Sequence, residues 1–166
     1  MILSKLMIGL LLFVTAVNPF AIQSQPANRI PAFQLATFDG ASFSQKNLPK
    51  NQLVFFCFFD ITCDHCRHAI ITINKEYSKF GNTAIYLVSL DNKQGVSNFL
   101  NRYASQLTTK KNVTLLHDAR NEFIYQFKPK KYPAMYLYSL KKALILYADD
   151  EKSIPFFIKK IKSVAN

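Results

Sequence analysis

The chain is marked by short runs in which nearly every position is apolar, separated by stretches where apolar residues recur at helical spacing. Leu53–Phe59 (LVFFCFF), Ala84–Leu90 (AIYLVSL) and Ala134–Tyr138 (AMYLY) are runs of the first kind. A half-buried strand alternates apolar with polar positions, so runs without alternation predict strands covered on both faces. Helical spacing follows the first run at Ile70, Ile73, Tyr77 and Phe80, with Gly81 and Asn82 as the stop. A second helix is expected through Val96, Phe99, Leu100, Tyr103 and Leu107, with Asp91 as its cap. A third runs from Ser153 to Val164, with Ile154, Phe157, Ile158 and Ile161 on one side. Ile30–Leu35 alternates, Asp39-Gly40 signals a turn and Ala41–Phe43 resumes an extended pattern, which predicts a hairpin. Val113–Leu116 reads as a short strand and Asn121–Phe127 as a short helix. Ala134–Tyr138 and Ala143–Tyr147 form a second hairpin across Ser139–Lys142. Strands that alternate with helices and close on a hairpin describe an α/β fold, a mixed central sheet flanked by helices.

The first 28 residues carry one charge, Lys5, and Leu6–Val17 is uncharged throughout. Twelve residues are too few for a membrane span of about 20 and suit the apolar region of a signal peptide. Residues 1–21 are therefore expected to be a signal, with an uncleaved anchor as the alternative. Residues 22–29 are expected to be a linker and 30–166 a single domain. Export places the domain where a disulfide persists, in the periplasm or another extracytoplasmic space. Of 166 residues, 14% are aromatic and the formal charge is +11, so the basic excess lies in the domain. The lysine clusters read as solvated faces, with contact to acidic partners or an anionic membrane surface as the sharper option. No nucleic-acid motif accompanies them. A monomer is expected, and no cofactor is called for.

Cys63-Asp64-His65-Cys66 joins the first buried run to the first helix. Two thiols spaced this way can close a disulfide at a helix N-terminus, whose partial positive charge favours a thiolate. Cys63, at the helix start, is the expected nucleophile. Cys66, one turn deeper, would resolve the mixed disulfide. A protonated His65 would favour the Cys63 thiolate, and Asp64 would oppose it. The alternative is metal capture by the pattern Cys-x-His-Cys-x-His through His68. A structural zinc site normally takes four protein ligands, and no second CxxC is present. His117 would be a distant further ligand, while His117 and Asp118 read more simply as a loop or cap.

These residues resemble the thioredoxin superfamily, specifically the exported TlpA/ResA-like thiol–disulfide oxidoreductases. The resemblance spans Ile30 to Ile161. It rests on Pro31-Ala-Phe-Gln-Leu35 with Asp39-Gly40, the apolar run into Cys63-Asp-His-Cys66, and Tyr132-Pro133-Ala134, 67 positions beyond Cys66. That interval leaves room for a central strand–helix insertion absent from minimal thioredoxin. The resemblance implies a thioredoxin-like fold, a cis-proline at Pro133 facing the dithiol, and a client-binding role for Tyr132. It also implies client proteins with disulfides or thiols, and an upstream membrane or extracytoplasmic dithiol donor. The chain departs from the family in having Thr62 where Trp usually precedes the first Cys. It also has Cys57 where relatives carry a buried Asp or Asn. Cys57 then reads as a small core residue, leaving Asp60 or His65 as candidates to handle protons. Peroxiredoxins place Pro seven and Thr three residues before their reactive Cys; Phe56 and Asp60 stand there. The function expected is thiol–disulfide exchange. The alternatives are a copper or other metal chaperone, or an interaction module with vestigial redox activity.

Overall fold

The computed structural model describes residues 25–165; the expected signal or anchor and the start of the linker lie outside them. Seven strands form one mixed sheet: β1 (Gln34–Thr37), β2 (Ser42–Ser44), β3 (Val54–Phe58), β4 (Ala84–Ser89), β5 (Val113–His117), β6 (Ala134–Tyr138) and β7 (Leu144–Ala148). Their order across the sheet is β2-β1-β5-β4-β3-β6-β7. β3, β4 and β5 run parallel, and antiparallel hairpins extend both edges. The helices are α1 (Asp64–Lys75), α2 (Lys93–Tyr103), α3 (Glu122–Phe127) and α4 (Ile154–Ala165). This is the thioredoxin-like α/β architecture, with β5 placed between β4 and the N-terminal hairpin.

The unbroken apolar strands are explained by two cores. Phe55 and Cys57 of β3, Ile85 and Leu87 of β4, and Met135 and Leu137 of β6 pack under α1, α2 and α4. The alternate residues Val54, Phe56, Phe58, Ala84, Tyr86, Val88, Ala134, Tyr136 and Tyr138 face α3 and the N-terminal hairpin. Period-two alternation thus persists, but both faces are dry. The second core is mostly aromatic. Phe123 and Phe127 of α3 stack with centroids 4.0 Å apart, and Phe56 meets Phe127 at 5.1 Å. Truncating one such ring costs about 3–5 kcal/mol.

Two expectations need correction. Asp91 does not cap α2; Asn92 does, its side chain accepting from Gly95 N–H at 2.9 Å. Both residue types cap well, and the carboxylate of Asp91 is engaged elsewhere. Residues 27–29, expected as linker, are tied into the domain. Ala27 N–H donates to Phe127 O at 3.1 Å, Arg29 forms a bridge with Ala143, and Leu144 N–H donates to Asn28 O at 2.8 Å.

Candidate active site

The site forms where β3 ends. Phe59 N–H still donates to Val88 O at 2.9 Å, and the chain then turns sharply through Asp60–Cys63. Several bonds hold that turn. Asp60 Oδ1 accepts from Thr62 N–H at 2.7 Å and Thr62 Oγ1 at 2.6 Å, and Cys63 N–H donates to Asp60 O at 3.3 Å. From the end of β4, Asp91 Oδ2 accepts from Ile61 N–H at 3.0 Å and Ser89 Oγ at 2.8 Å. On the other side, Gly95 of α2 approaches so closely that an added Cβ would lie 2.9 Å from Ile61 Cδ1.

Cys63 is the N-cap of α1. Its extended backbone (φ −83°, ψ 119°) aims Sγ back at the helix, where it accepts from Cys66 N–H at 3.3 Å. The sulfur thus occupies the position of a capping oxygen at the first turn of the helix. Cys63 is half-buried; Cys66 is fully buried. All three thiols are free. Burial pushes the Cys66 thiol well above its ordinary value, and its hydrogen bond with Cys63 acts the same way. Cys57, fully buried in β3 between Leu87 and Met135, is pushed up to about 12 by burial and then by the nearby Cys63.

The charged neighbours Asp64 and His65 are engaged by other side chains. Asp64 pairs with Arg67 at 2.9 Å, and His65 Nδ1 lies 3.1 Å from both carboxylate oxygens of Glu151, just before α4. Glu151 carries no local sequence signal, since it lies 86 residues away from its partner. His117 closes β5 and stacks on Phe38 at 5.5 Å, while Asp118 caps α3 through Glu122 N–H at 2.7 Å and Phe123 N–H at 2.8 Å. Among the described residues no three His, Cys, Asp or Glu side chains converge as ligands for a metal.

The Tyr132–Pro133 peptide is cis. It leads into β6, whose first residue, Ala134, pairs with Phe58 at the end of β3. The Tyr132 ring lies on Phe58 with centroids 4.8 Å apart. Burial raises the Tyr132 hydroxyl to about 12, with Asp60 and Cys66 near enough to add to the effect. At neutral pH that hydroxyl stays protonated. The structure thus brings Cys63, Cys66, Tyr132 and Pro133 to one end of the sheet. Asp64 and His65 lie beside them but are held by other partners.

The model of the AhpC/TSA family matches residues 26–150. Among solved structures, dsbF of Mycobacterium tuberculosis, in mixed oxidized and reduced forms, superposes with TM-score 0.68 at 16% identity. It covers 84% of this chain and 99% of that one. A secreted Mycobacterium tuberculosis disulfide oxidoreductase, homologous to E. coli DsbE, gives TM-score 0.62 at 15% identity, over 77% of this chain and 95% of that one. ScoI of Arabidopsis thaliana with copper bound gives 0.59 at 17% identity, over 81% and 99%. A comparison with curated proteins found no match.

Proposed function

The chain belongs to the AhpC/TSA family, and from that premise and the site geometry we propose that it is an exported thiol–disulfide oxidoreductase acting on client proteins. The observation that carries this reading is the unequal placement of the two sulfurs. Cys63 is half-buried at a helix N-cap, while Cys66 is sealed one turn below it.

The Cys63 thiolate attacks a client disulfide, forming a mixed disulfide and releasing one client sulfur, which takes up a proton. Cys66 loses its proton and breaks the mixed disulfide. The Cys63–Cys66 bond forms and the second client thiol leaves. Two electrons pass to the client, which takes one proton from Cys66 and one from solvent, and the reverse sequence oxidises it. Tyr132 and Pro133 line the approach. Burial and the hydrogen bond with Cys63 keep the Cys66 thiol protonated in the resting site, and the second of these ends when Cys63 enters the mixed disulfide. Export rests on the uncharged Leu6–Val17 segment after Lys5; no helix among the described residues is long and apolar enough to cross a membrane. An extracytoplasmic dithiol donor would recharge the pair.

The test is covalent trapping. Cys66→Ser should accumulate client adducts on Cys63 that are released by dithiothreitol, and Cys63→Ser should accumulate none. Wild-type protein should reduce insulin. Absence of both adducts and insulin reduction would remove the exchange reading. The metal reading adds a histidine to the two sulfurs, and His65, which lies between them in sequence, is engaged by Glu151 through Nδ1. Stoichiometric copper in protein purified under reducing conditions, lost in His65→Ala, would restore that reading.

A further inference from the structure

At the end of β3, on the face that carries α3, lies a pocket of about 120 Å³ lined by Phe58, Ile124, Pro129, Lys130, Lys131 and Tyr132; Tyr132 packs against this core and also against the one that holds Cys63 and Cys66. The pocket's volume suits one aliphatic side chain. The lysines, exposed at their ends, can line an apolar hollow with their methylene stems while the ammonium groups stay in water. The wall is anchored. Lys128 ends α3 in the left-handed conformation (φ 56°), Lys130 N–H donates to Tyr147 Oη at 3.0 Å, and the Tyr132 ring rests on Phe58. Tyr132 belongs to both features, lining the pocket while its hydroxyl lies near Asp60 and Cys66.

The loop that lines the pocket is rich in lysine. Lys128, Lys130 and Lys131 stand within four positions of one another. Among the described residues only Lys131 has a carboxylate within reach, Asp149 at 4.0 Å. An apolar hollow lined by Lys130 and Lys131, with Lys128 just before them, complements an apolar side chain flanked by acidic ones. We propose that this pocket is a client subsite. It receives an aliphatic side chain next to the client cysteine under attack, and the three lysines favour clients with acidic residues on either side of it. The inference rests on Cys63 and Cys66 being an exchanging dithiol.

The experiment uses the reduced full chain and peptides that present one cysteine as a mixed disulfide with 2-mercaptoethanol. One peptide has Leu beside the cysteine with flanking Asp residues; a second replaces Leu by Gly; a third replaces Asp by Lys. The Leu peptide should react about tenfold faster than the Gly peptide. The Asp peptide should react about threefold faster than the Lys peptide, with that margin shrinking in high salt. Lys130→Glu with Lys131→Glu should invert the charge preference, and Ile124→Gln should weaken the Leu preference. Both variants should keep the wild-type rate with hydroxyethyl disulfide. Equal rates for all three peptides beside normal hydroxyethyl disulfide turnover would overturn the pocket assignment alone. No reaction with any disulfide would overturn the exchange reading and the pocket with it. A preference lost as the protein self-associates in sedimentation would assign the pocket to a second copy of this chain and overturn the client assignment.

Discussion

At the scale of single residues, the site depends on side chains that never touch a client. Asp91 is the clearest. Its carboxylate joins the end of β4 to Ile61 N–H, two residues before Cys63. Removing it leaves a partly buried N–H without a partner, a cost of about 1–3 kcal/mol. Asp91→Ala should therefore lower the urea midpoint and slow the reaction of Cys63 with hydroxyethyl disulfide. Asp91→Asn, which keeps an acceptor oxygen, should recover part of both. Wild-type midpoint and rate in Asp91→Ala would remove this role. The sequence pointed to Asp91 but for another task. Asp91 and Asn92 are both good caps standing together, and only the backbone path decides which one reaches the helix amides. Cys63 and Cys66 were legible because their spacing is local. Glu151 was not, because a contact across 86 positions leaves no periodicity.

At the scale of elements, the apolar runs marked the strands well, since a strand dry on both faces looks the same in any order. Their neighbours could not be read. Nothing in Gln34–Thr37 says that it pairs with β5 as well as β2. The short α3 makes its own case. Six residues are too few to hold a helix by propensity, so α3 depends on the Phe123 and Phe127 packing and on the Asp118 cap. Asp118 is 1% exposed, and burial raises its carboxyl above the usual range although the backbone amides of Phe123, Glu122 and Arg120 pull the other way. Asp118→Ala should cost about 1–2 kcal/mol in urea unfolding, and Asp118→Asn should cost less. An unchanged midpoint in the Ala variant would mean that the aromatic stack alone holds α3. Since Ile124 lines the pocket beside Tyr132, loss of the cap should also erode any peptide preference. α2 meets the site at Gly95. Gly95→Leu should push Ile61 and the turn before Cys63 aside, slowing exchange more than it lowers stability. Equal proportional losses in both would argue for general destabilisation.

For the whole molecule, one core holds the buried thiols and the other the buried phenols, and that combination sets the response to alkali. Burial raises Cys57, Tyr86 and Tyr132 each to about 12, and raises Cys66, Tyr136 and Tyr138 as well. In the unfolded chain a thiol loses its proton near 8.5 and a phenol near 10. Above those values the unfolded state binds fewer protons than the folded state, so stability falls as pH rises. It should be fully present below about pH 8.5, decline first through the thiols, and fall steeply above about pH 10 as pH climbs toward the raised folded values near 12. Lys142 opposes this trend, because burial lowers its ammonium and the unfolded state then holds the extra proton. The shrinking net charge of a molecule that starts at +11 opposes it too. A net fall would thus show that the buried acids dominate. Urea unfolding under reducing conditions should give a lower midpoint at pH 10.5 than at pH 8. Cys57→Ala should flatten the earlier part of the decline, and Tyr138→Phe the later part. The latter also loses the bond from Tyr138 Oη to Ala27 O at 3.0 Å, about 1 kcal/mol at every pH. The slope with pH, rather than the midpoint itself, therefore separates the two effects. A midpoint that holds level to pH 10.5, or rises, would mean that these buried phenols and thiols do not outweigh Lys142 and the falling net charge.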